Sequence, residues 1–525
     1  MPSQAYNEAV GARQRQTSAK IIFDIIDNTA GADATITAND ESSVSRIGEL
    51  VNNVSVEDTS KKFTTLEDGY FTLDGKNRVT PQVTDVVSAD VGFWSDTLSN
   101  DNGEFTAPIE LTVALSVPHS SIGLSLAFDD EYPTVFDMAF YDANDDLILE
   151  RNITNNASNL YVLNEPIDNY NKIVLTFHAV RNANRRLRLY EVIFGVTKIF
   201  TDLELINLDI TRELNIVDEV LPSSDLNFTI DNLDKRFNIL NPTGIYKYLQ
   251  TKQLIRSAIG VYVNDTDIEY MDTGQYYLDE WETDGITASF TARDRLYFIN
   301  DNLMYTVASN TTKSLLNWVT TLLELAGITD CIIDGSLSSI SVTTRFDETS
   351  VKSLIKSACT AGNCLIYVDV NNIVNVVKIP QNRAGNIVLD NMYNYPKVKL
   401  DMAYNTVKVG VYNTSEKKVT SYVSVDNITN NDPSVVYEVA DNLFITNNAR
   451  ATDVANRYLS ILAHRELYDI DWRQNPALDI NNIVKVEDNF GVNGDVVITK
   501  QEYNYAGYLS GRTEGRGINV ANTED

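Results

Sequence analysis

The segment NPALDINNIVKVEDNFGVNGDVVITKQEYNYAGYLSGRTEGRG, residues 475–517, decides between two classes of protein. It contains two alternating stretches, IVKVED and DVVITKQEYNY, separated by NFGVNG, and this pattern predicts two strands joined by a turn. A glycine-rich stretch, GYLSGRTEGRG, follows. If its glycines cradle a phosphate, the chain binds nucleotides; if they let a strand bend, the chain is a structural component.

The glycine-rich stretch lacks what a phosphate-binding loop requires. A P-loop has Lys and then Ser or Thr after its last glycine and opens a helix, whose amide groups meet the phosphate. No lysine and no apolar helical pattern follows Gly507, Gly511, Gly515 or Gly517. A dinucleotide fingerprint would also need a helix at this place. We therefore predict that these glycines let a strand bend and pass close to a neighbouring chain, and we expect no cofactor.

The charge of the chain argues against nucleic-acid binding. The 525 residues predict about two to four domains, and their formal net charge is −31. Phosphate binding relies on Lys and Arg, so this chain is a poor partner for DNA, although an acidic surface lets DNA pass without sticking. One basic stretch, RNANRRLRLY at residues 181–190, is the local exception. We interpret its arginines, Arg181, Arg185, Arg186 and Arg188, as a solvated strand face.

Neither the N-terminus nor the cysteines indicate secretion. The first twenty residues are polar, no run of about 18 apolar residues occurs, and we expect synthesis in a cytoplasm. The three cysteines, Cys331, Cys359 and Cys364, are odd in number, so no disulfide framework follows. No other Cys or His lies near the C-x4-C pair to complete a zinc site, and we expect buried or half-buried thiols.

Hydrophobic periodicity predicts a mainly β chain with one α+β part. KIIFDIID is a lone strand before residue 30, and short strands separated by turn residues over 66–197 are typical of a sandwich. Strands continue over 198–300, with a hairpin turn at Asp284-Gly285. KSLLNWVTTLLELAG and ETSVKSLIKSACTAG then have helical period. After residue 395 the strands return, interrupted by one helix, ARATDVANRYLSILAHRE.

No short motif carries chemistry. In YDANDDLILE, Asp142, Asn144 and Asp146 match the first positions of a calcium loop, but the glycine and glutamate that the loop requires are missing. We interpret this stretch as a hairpin turn; a looser calcium site with Asp129 or Asp130 stays open. His119, His178 and His464 lie far apart in sequence, and no G-x-S-x-G elbow is present. We predict no catalytic residue and no dedicated metal site.

The order of the blocks carries a resemblance. LPSSDLNFTIDNLDKRFNILNPTGIYKYL, residues 221–249, looks like a stretch of tail proteins from phages and prophages of Gram-positive bacteria. The closing segment resembles the end of the gp27-like baseplate hub family, with its Asn475-Pro476 turn, hairpin, Tyr503 and Tyr505 and terminal glycines. That family often has Gly-Asp where this chain has Asn481-Asn482. Residues 66–197 are similar to discoidin-type, galactose-binding-like jelly rolls.

The resemblance implies a trimeric ring. Hub proteins give two similar β-barrels each to a ring, which docks sixfold tail-tube or distal tail proteins above and threefold spike, fibre or tip proteins below. The chain would belong to the virion, be assembled in the bacterial cytoplasm and line a channel for DNA in transit. The implied domains are an N-terminal arm with the first strand of hub barrel 1 (1–65), a jelly-roll insertion (66–197), hub barrel 1 (198–300), a small α+β domain (301–394), hub barrel 2 (395–517) and a C-terminal tail (518–525).

Two alternatives to a purely structural role remain. In the first, the jelly roll is a carbohydrate-binding adhesin for host cell-wall glycans, with Trp94 or Tyr132 stacking on a sugar ring; aromatic side chains at such positions also pack in cores and interfaces. In the second, the chain degrades cell walls. We expect the second to be wrong, because the chain stops a few residues after the last predicted barrel.

Overall fold

The structure is a computed structural model that describes residues 2–51, 67, 91–217, 220–427, 433–490 and 494–519. The end of the predicted N-terminal arm, the start of the predicted jelly roll except Glu67, the middle of the NFGVNG turn and most of the predicted C-terminal tail lie outside these residues. No helix in the described ranges is long and apolar enough to cross a membrane.

Helices are few and strands are many, so the mainly β fold with a small α+β part is confirmed. In the described residues the helices α1 to α5 are Gln4–Gly11, Asn28–Asp33, Leu315–Leu325, Val351–Ala361 and Asn448–Ala463. Strands β1 to β11 are Thr17–Ile26, Thr35–Ala38, Phe93–Leu98, Glu104–Ser121, Leu124–Phe128, Pro133–Tyr141, Leu147–Ile153, Leu160–Leu163, Ile167–Val180, Arg186–Ile193 and Gly195–Phe200.

The later strands follow in the same way. Strands β12 to β21 are Leu205–Glu213, Asp225–Asp231, Leu254–Tyr262, Ile268–Thr283, Thr287–Arg293, Met304–Ser314, Cys331–Ile333, Ser341–Ser350, Leu365–Val368 and Val374–Val377. Strands β22 to β30 are Arg383–Ile387, Lys397–Leu400, Thr406–Asn413, Lys418–Asp426, Val436–Val439, Glu466–Trp472, Ile483–Val486, Gly494–Tyr505 and Leu509–Gly517.

The chain divides into two compact units. Unit 1 contains residues 1–22, 199–234 and 254–525, and unit 2 contains residues 23–198 and 235–253. Residues 235–253, which the sequence assigns to hub barrel 1, therefore belong to unit 2. The physical reason lies in Asp168 of β9: its carboxylate accepts hydrogen bonds from Lys247 Nζ at 2.7 Å and from the Tyr248 hydroxyl at 2.9 Å.

Unit 2 is a β-sandwich, as predicted. One sheet has the order β3-β10-β5-β8 and the other β2-β4-β9-β6-β7. Alternate residues of β4, Ile109, Leu111 and Val113, are buried, and side chains of both sheets share one apolar core. Residues 28–51 also belong to this core through Ala30 and Leu50, although the sequence places them in the N-terminal arm. The reason is β2, a strand too short to recognise, which pairs with β4.

Unit 1 contains one long sheet. From residues 17–22 of β1, the order is β1-β14-β15-β16-β13-β12-β29-β30-β27-β23, and β28 pairs with β29 and with β22. The alternation of apolar and polar residues in the sequence accounts for the buried face of this sheet. In β13, Leu226, Phe228 and Ile230 are buried, while their neighbours are more exposed. The predicted hairpin at Asp284-Gly285 joins β15 to β16. The lone early strand thus finds its partner in β14.

A separate apolar core holds the α+β part of unit 1. It unites α3, α4 and α5 with β20, β21 and β24, through residues such as Trp318, Leu354, Val409 and Tyr458. The predicted boundary at residue 395 does not match this core, because strands β24–β26 and most of the buried face of helix α5 pack with the α+β part. Ile461 of α5 also packs against the neighbouring core that holds β27–β29. The periodicity of α5 correctly predicts its buried face, but it does not reveal which core that face meets.

Candidate functional site

Trp94 does not lie at the surface. Its side chain is 1% exposed, its indole N–H donates to the Val91 carbonyl at 2.9 Å, and the Arg188 guanidinium lies 4.4 Å from the ring centroid. A sugar has no access to this ring. The expectation that Trp94 stacks on a sugar is therefore corrected: the residue packs inside the sandwich unit, as one of the three buried residues that begin β3.

The basic stretch at residues 181–190 is not a solvated strand face throughout. Arg188 is 1% exposed and forms ion pairs with Asp129, at 2.6 Å, and with Glu67. Both carboxylates are buried as well. Seven of the eight residues of β10 are buried, so neither face of this strand is free. The arginine is held inside by two acidic side chains that come from distant parts of the sequence.

Tyr132, the residue before β6, is half-buried and packs against the sandwich core. The Arg181 backbone N–H donates to the Tyr132 carbonyl at 3.1 Å, and the Arg181 guanidinium lies 5.5 Å from the ring centroid. The neighbouring Glu131 accepts hydrogen bonds from the side-chain amide of Asn182 at 3.0 and 2.8 Å. Because Trp94 is buried, the sugar-binding prediction rests on Tyr132 alone.

The acidic turn after β6 is a hairpin turn, as interpreted from the sequence. Asp142 accepts hydrogen bonds from the backbone N–H groups of Asn144 and Asp146 at 2.8 and 2.9 Å, and these bonds, that of Asp146 first, lower the pKa of Asp142. Asp129, considered above for calcium, is bound to Arg188. Within the described residues, no group of three or more His, Cys, Asp or Glu side chains is arranged to hold a metal ion.

The histidines and cysteines are engaged in structure. His119 is buried between two carboxylates, with Nδ1 2.7 Å from Asp27 and Nε2 3.2 Å from Asp33, so neither ring nitrogen is left to act on a nucleophile. His178 Nε2 lies 2.7 Å from Asp137. The expected buried thiols are confirmed: burial raises the pKa of Cys359 to about 12 and that of Cys364 to about 11.

The glycine-rich stretch forms β30, which lies between β27 and β29. A Cβ built on Gly511 would overlap the Glu502 carbonyl oxygen and come within 2.6 Å of Gln474 Cγ. Gln474, which is fully buried, donates from its side-chain amide to the Glu502 carbonyl at 3.0 Å and to the Arg512 carbonyl at 2.9 Å. The glycine therefore permits close approach of strands within one chain, around a buried amide that the sequence patterns do not reveal.

Replacing Gly511 with alanine is expected to lower the free energy of unfolding of unit 1 by about 1–3 kcal/mol, because backbone must move to admit the methyl group. Chemical denaturation of the full chain measures the change. Gly335→Ala is the matched control, since a Cβ at Gly335 meets nothing within 4 Å. Equal effects of the two substitutions would contradict the close-approach role of Gly511.

The strand groups of the two predicted barrels meet edge to edge in unit 1. β12, from the first group, pairs antiparallel with β29, from the second, from Leu208↔Tyr505 to Glu213↔Lys500. Arg212 lies on this joint with its side chain buried, and it binds Asp479 through two nitrogens. Sequence patterns predict both strands but give no sign of their pairing.

Comparison with known proteins finds similarity only among solved structures. No family model matches the chain, and no curated protein matches it. The 43 kDa tail protein of prophage MuSo2 from Shewanella oneidensis is 14% identical, with 61% of this chain and 94% of that chain covered and a TM-score of 0.40. The tail protein from Neisseria meningitidis MC58 is 12% identical, with 62% and 94% covered and a TM-score of 0.41.

A further similar structure is a carbohydrate-binding module. The family 32 module of C. perfringens NanJ, solved in complex with galactose, is 13% identical, with 34% of this chain and 99% of that chain covered and a TM-score of 0.20. Tail proteins and a carbohydrate-binding module are also the two classes that the sequence resembles. At these identities and TM-scores, no activity, partner or assembly is carried over from them.

Proposed function

We propose that this chain is a structural protein at the tail tip of a phage or phage-like particle. Three copies form a ring that joins a sixfold tail tube or distal tail protein above to threefold spike, fibre or tip proteins below. In this proposal the chain is part of the virion, is assembled in the cytoplasm of the bacterial host and acts without catalysis.

The pairing of β12 with β29 is the observation that supports this proposal most. A run of backbone hydrogen bonds between two strand groups makes them one continuous sheet, which resists bending far better than two modules on a flexible linker. Each chain thus supplies two wall segments in a fixed relation. Three such chains supply six segments, which is the number needed to match a sixfold partner with threefold symmetry.

The charge of the chain fits a channel for DNA in transit. With a formal net charge of −31, the ring repels phosphate groups along its wall, and a passing duplex finds few cations that would hold it. DNA is therefore proposed as cargo and not as a bound ligand.

Assembly of the purified full-length chain tests the proposal. We expect light scattering behind size-exclusion chromatography to give three times the mass of one chain at high concentration. Negative-stain class averages should then have threefold symmetry. A particle that stays monomeric at every concentration, and also when a tail-tube protein of the same phage is added, would overturn the ring.

Sugar binding by unit 2 is the second candidate, favoured by the half-buried Tyr132 with Arg181 and Glu131 beside it. The ligand would be a host cell-wall glycan. We expect the full-length chain to bind a bacterial glycan on an array and Tyr132→Ala to lose that binding, while Trp94→Phe keeps it because Trp94 is buried. An array without signal from the wild-type chain would remove this candidate.

A further inference from the structure

We infer that a cavity of about 1040 Å³ in unit 1 binds a carboxylate of an acidic protein segment. The cavity is open to solvent. Its lining comes from the segment after α1, from the turn between β14 and β15, from residues 390–393 and from Arg473. Three arginines, Arg13, Arg15 and Arg473, face it together. This inference does not depend on the proposed function, because it follows from the arginines alone.

Two of the arginines are fixed by the backbone and not by acids. Arg15 Nη1 donates to the Gln474 carbonyl at 2.8 Å and to the Val10 carbonyl at 3.2 Å. Arg473 Nη1 donates to the Ala12 carbonyl at 2.7 Å. In the part of the chain that the structure describes, neither guanidinium has a carboxylate within salt-bridge distance. The positions of the charges are therefore preorganised by backbone carbonyls, while no carboxylate of the described residues pairs with them directly.

The uncompensated charges affect each other. Burial, and then the neighbouring Arg473, lower the pKa of Arg15 to about 10. Because the like charge of Arg473 disfavours the protonated guanidinium of Arg15, an anion in the cavity would offset that repulsion. We therefore expect an anion to bind more tightly in this cavity than at three separate surface arginines.

Free hydrogen-bond donors are available for that anion. Only Nη1 of Arg473 is engaged, so the other N–H groups of this side chain have no acceptor among the described residues. Arg13 is exposed at the rim. A planar guanidinium with free N–H groups binds a carboxylate through two parallel hydrogen bonds, which gives both affinity and orientation.

The remaining lining selects the kind of anion. Asp265 and Asp390 also border the cavity, so its formal charge is about one positive unit. This balance suits a single carboxylate better than a phosphate dianion. Met392 and Tyr393 complete the lining, and Tyr393 is 52% exposed. Arginine, tyrosine and methionine are the side chains enriched where proteins bind one another.

An exposed strand edge next to the cavity extends the docking surface. β23, four residues after Tyr393, is exposed along its whole length and pairs only with β27 in the sheet of the described residues. Its Val398 and Leu400 are 49% and 58% exposed. An extended acidic segment could add to this edge through its backbone while one of its carboxylates enters the cavity.

Binding of a fluorescently labelled hexaglutamate peptide to the full-length chain tests the inference. We expect measurable binding, weakened about tenfold or more by Arg13→Glu, since one charge-assisted contact accounts for roughly that factor. Arg181→Glu, which reverses an exposed charge in unit 2, should leave the affinity unchanged. Thermal unfolding of both variants verifies that they are folded, and hexaserine serves as the uncharged peptide.

Competition distinguishes the sources of the anion. Unlabelled hexaglutamate should displace the labelled peptide at a far lower concentration than glutarate or inorganic phosphate. If phosphate competes as well as the peptide, the cavity is a simple anion site and the inference of an acidic segment is overturned. Absence of peptide binding, or equal binding by Arg13→Glu and the wild-type chain, also overturns it.

Discussion

Replacing Arg188 with leucine is expected to lower the free energy of unfolding of unit 2 by about 3–5 kcal/mol, because the change removes a buried guanidinium that binds two buried carboxylates. Asp129 and Glu67 are 4% and 4% exposed and meet on this one guanidinium. Trp94 also loses the cation above its ring. Urea denaturation followed by tryptophan fluorescence measures the loss.

The matched control is Arg181→Leu in the same basic stretch. Arg181 is exposed and contacts Tyr132 only at the distance of a weak cation–π interaction, so its loss should cost less than about 1 kcal/mol. Removing the acids together with the arginine, as in Glu67→Gln, Asp129→Asn and Arg188→Met combined, should recover part of the stability. Equal losses for Arg188→Leu and Arg181→Leu would contradict the buried cluster.

Arg188 also illustrates what the sequence could not predict. In RLRLY, arginines alternate with leucines, and alternation is the normal sign of a strand with one wet face. The residues that cover this face, Glu67 and Asp129, are far away along the chain. Local periodicity contains no information about such partners, so it predicts the strand correctly and the environment of its arginine incorrectly.

The same limit applies to the candidate cavity and to the α+β core. Arg15 and Arg473 come together only because α1 and the end of β27 are neighbours in the folded chain. Helix α5 presents the predicted face of Val454, Tyr458 and Leu462, but only the tertiary structure reveals that this face meets α4 and β24. By contrast, the sequence correctly predicts that the glycine-rich stretch lies in a strand, which is β30.

Replacing Arg212 with methionine is expected to lower the free energy of unfolding of unit 1 by about 3 kcal/mol. Arg212 Nε and Nη2 bind the two oxygens of Asp479 at 2.6 and 2.9 Å, and Nη2 also donates to the Val368 carbonyl at 2.9 Å. One side chain thus connects β12, the loop after Pro476 and β20. Burial alone would lower the pKa of Arg212, but Asp479 raises it above the ordinary value, so the charge persists inside.

The position of Arg212 gives this substitution a second, local effect. Arg212 pairs with Gln501 in the joint between β12 and β29, so we expect faster hydrogen exchange at the amides of residues 501–505 in the variant.

Arg383→Met is the matched control: Arg383 binds both carboxylate oxygens of Asp495, at 2.6 and 3.0 Å, but its side chain is 30% exposed. Because the Arg383 side chain is more exposed than that of Arg212, its ion pair should contribute less stability than the Arg212–Asp479 pair. If both variants lose the same stability and hydrogen exchange at the joint is unchanged, Arg212 does not hold the two strand groups together. The proposed ring then lacks the side-chain contact that would fix its two wall segments to each other.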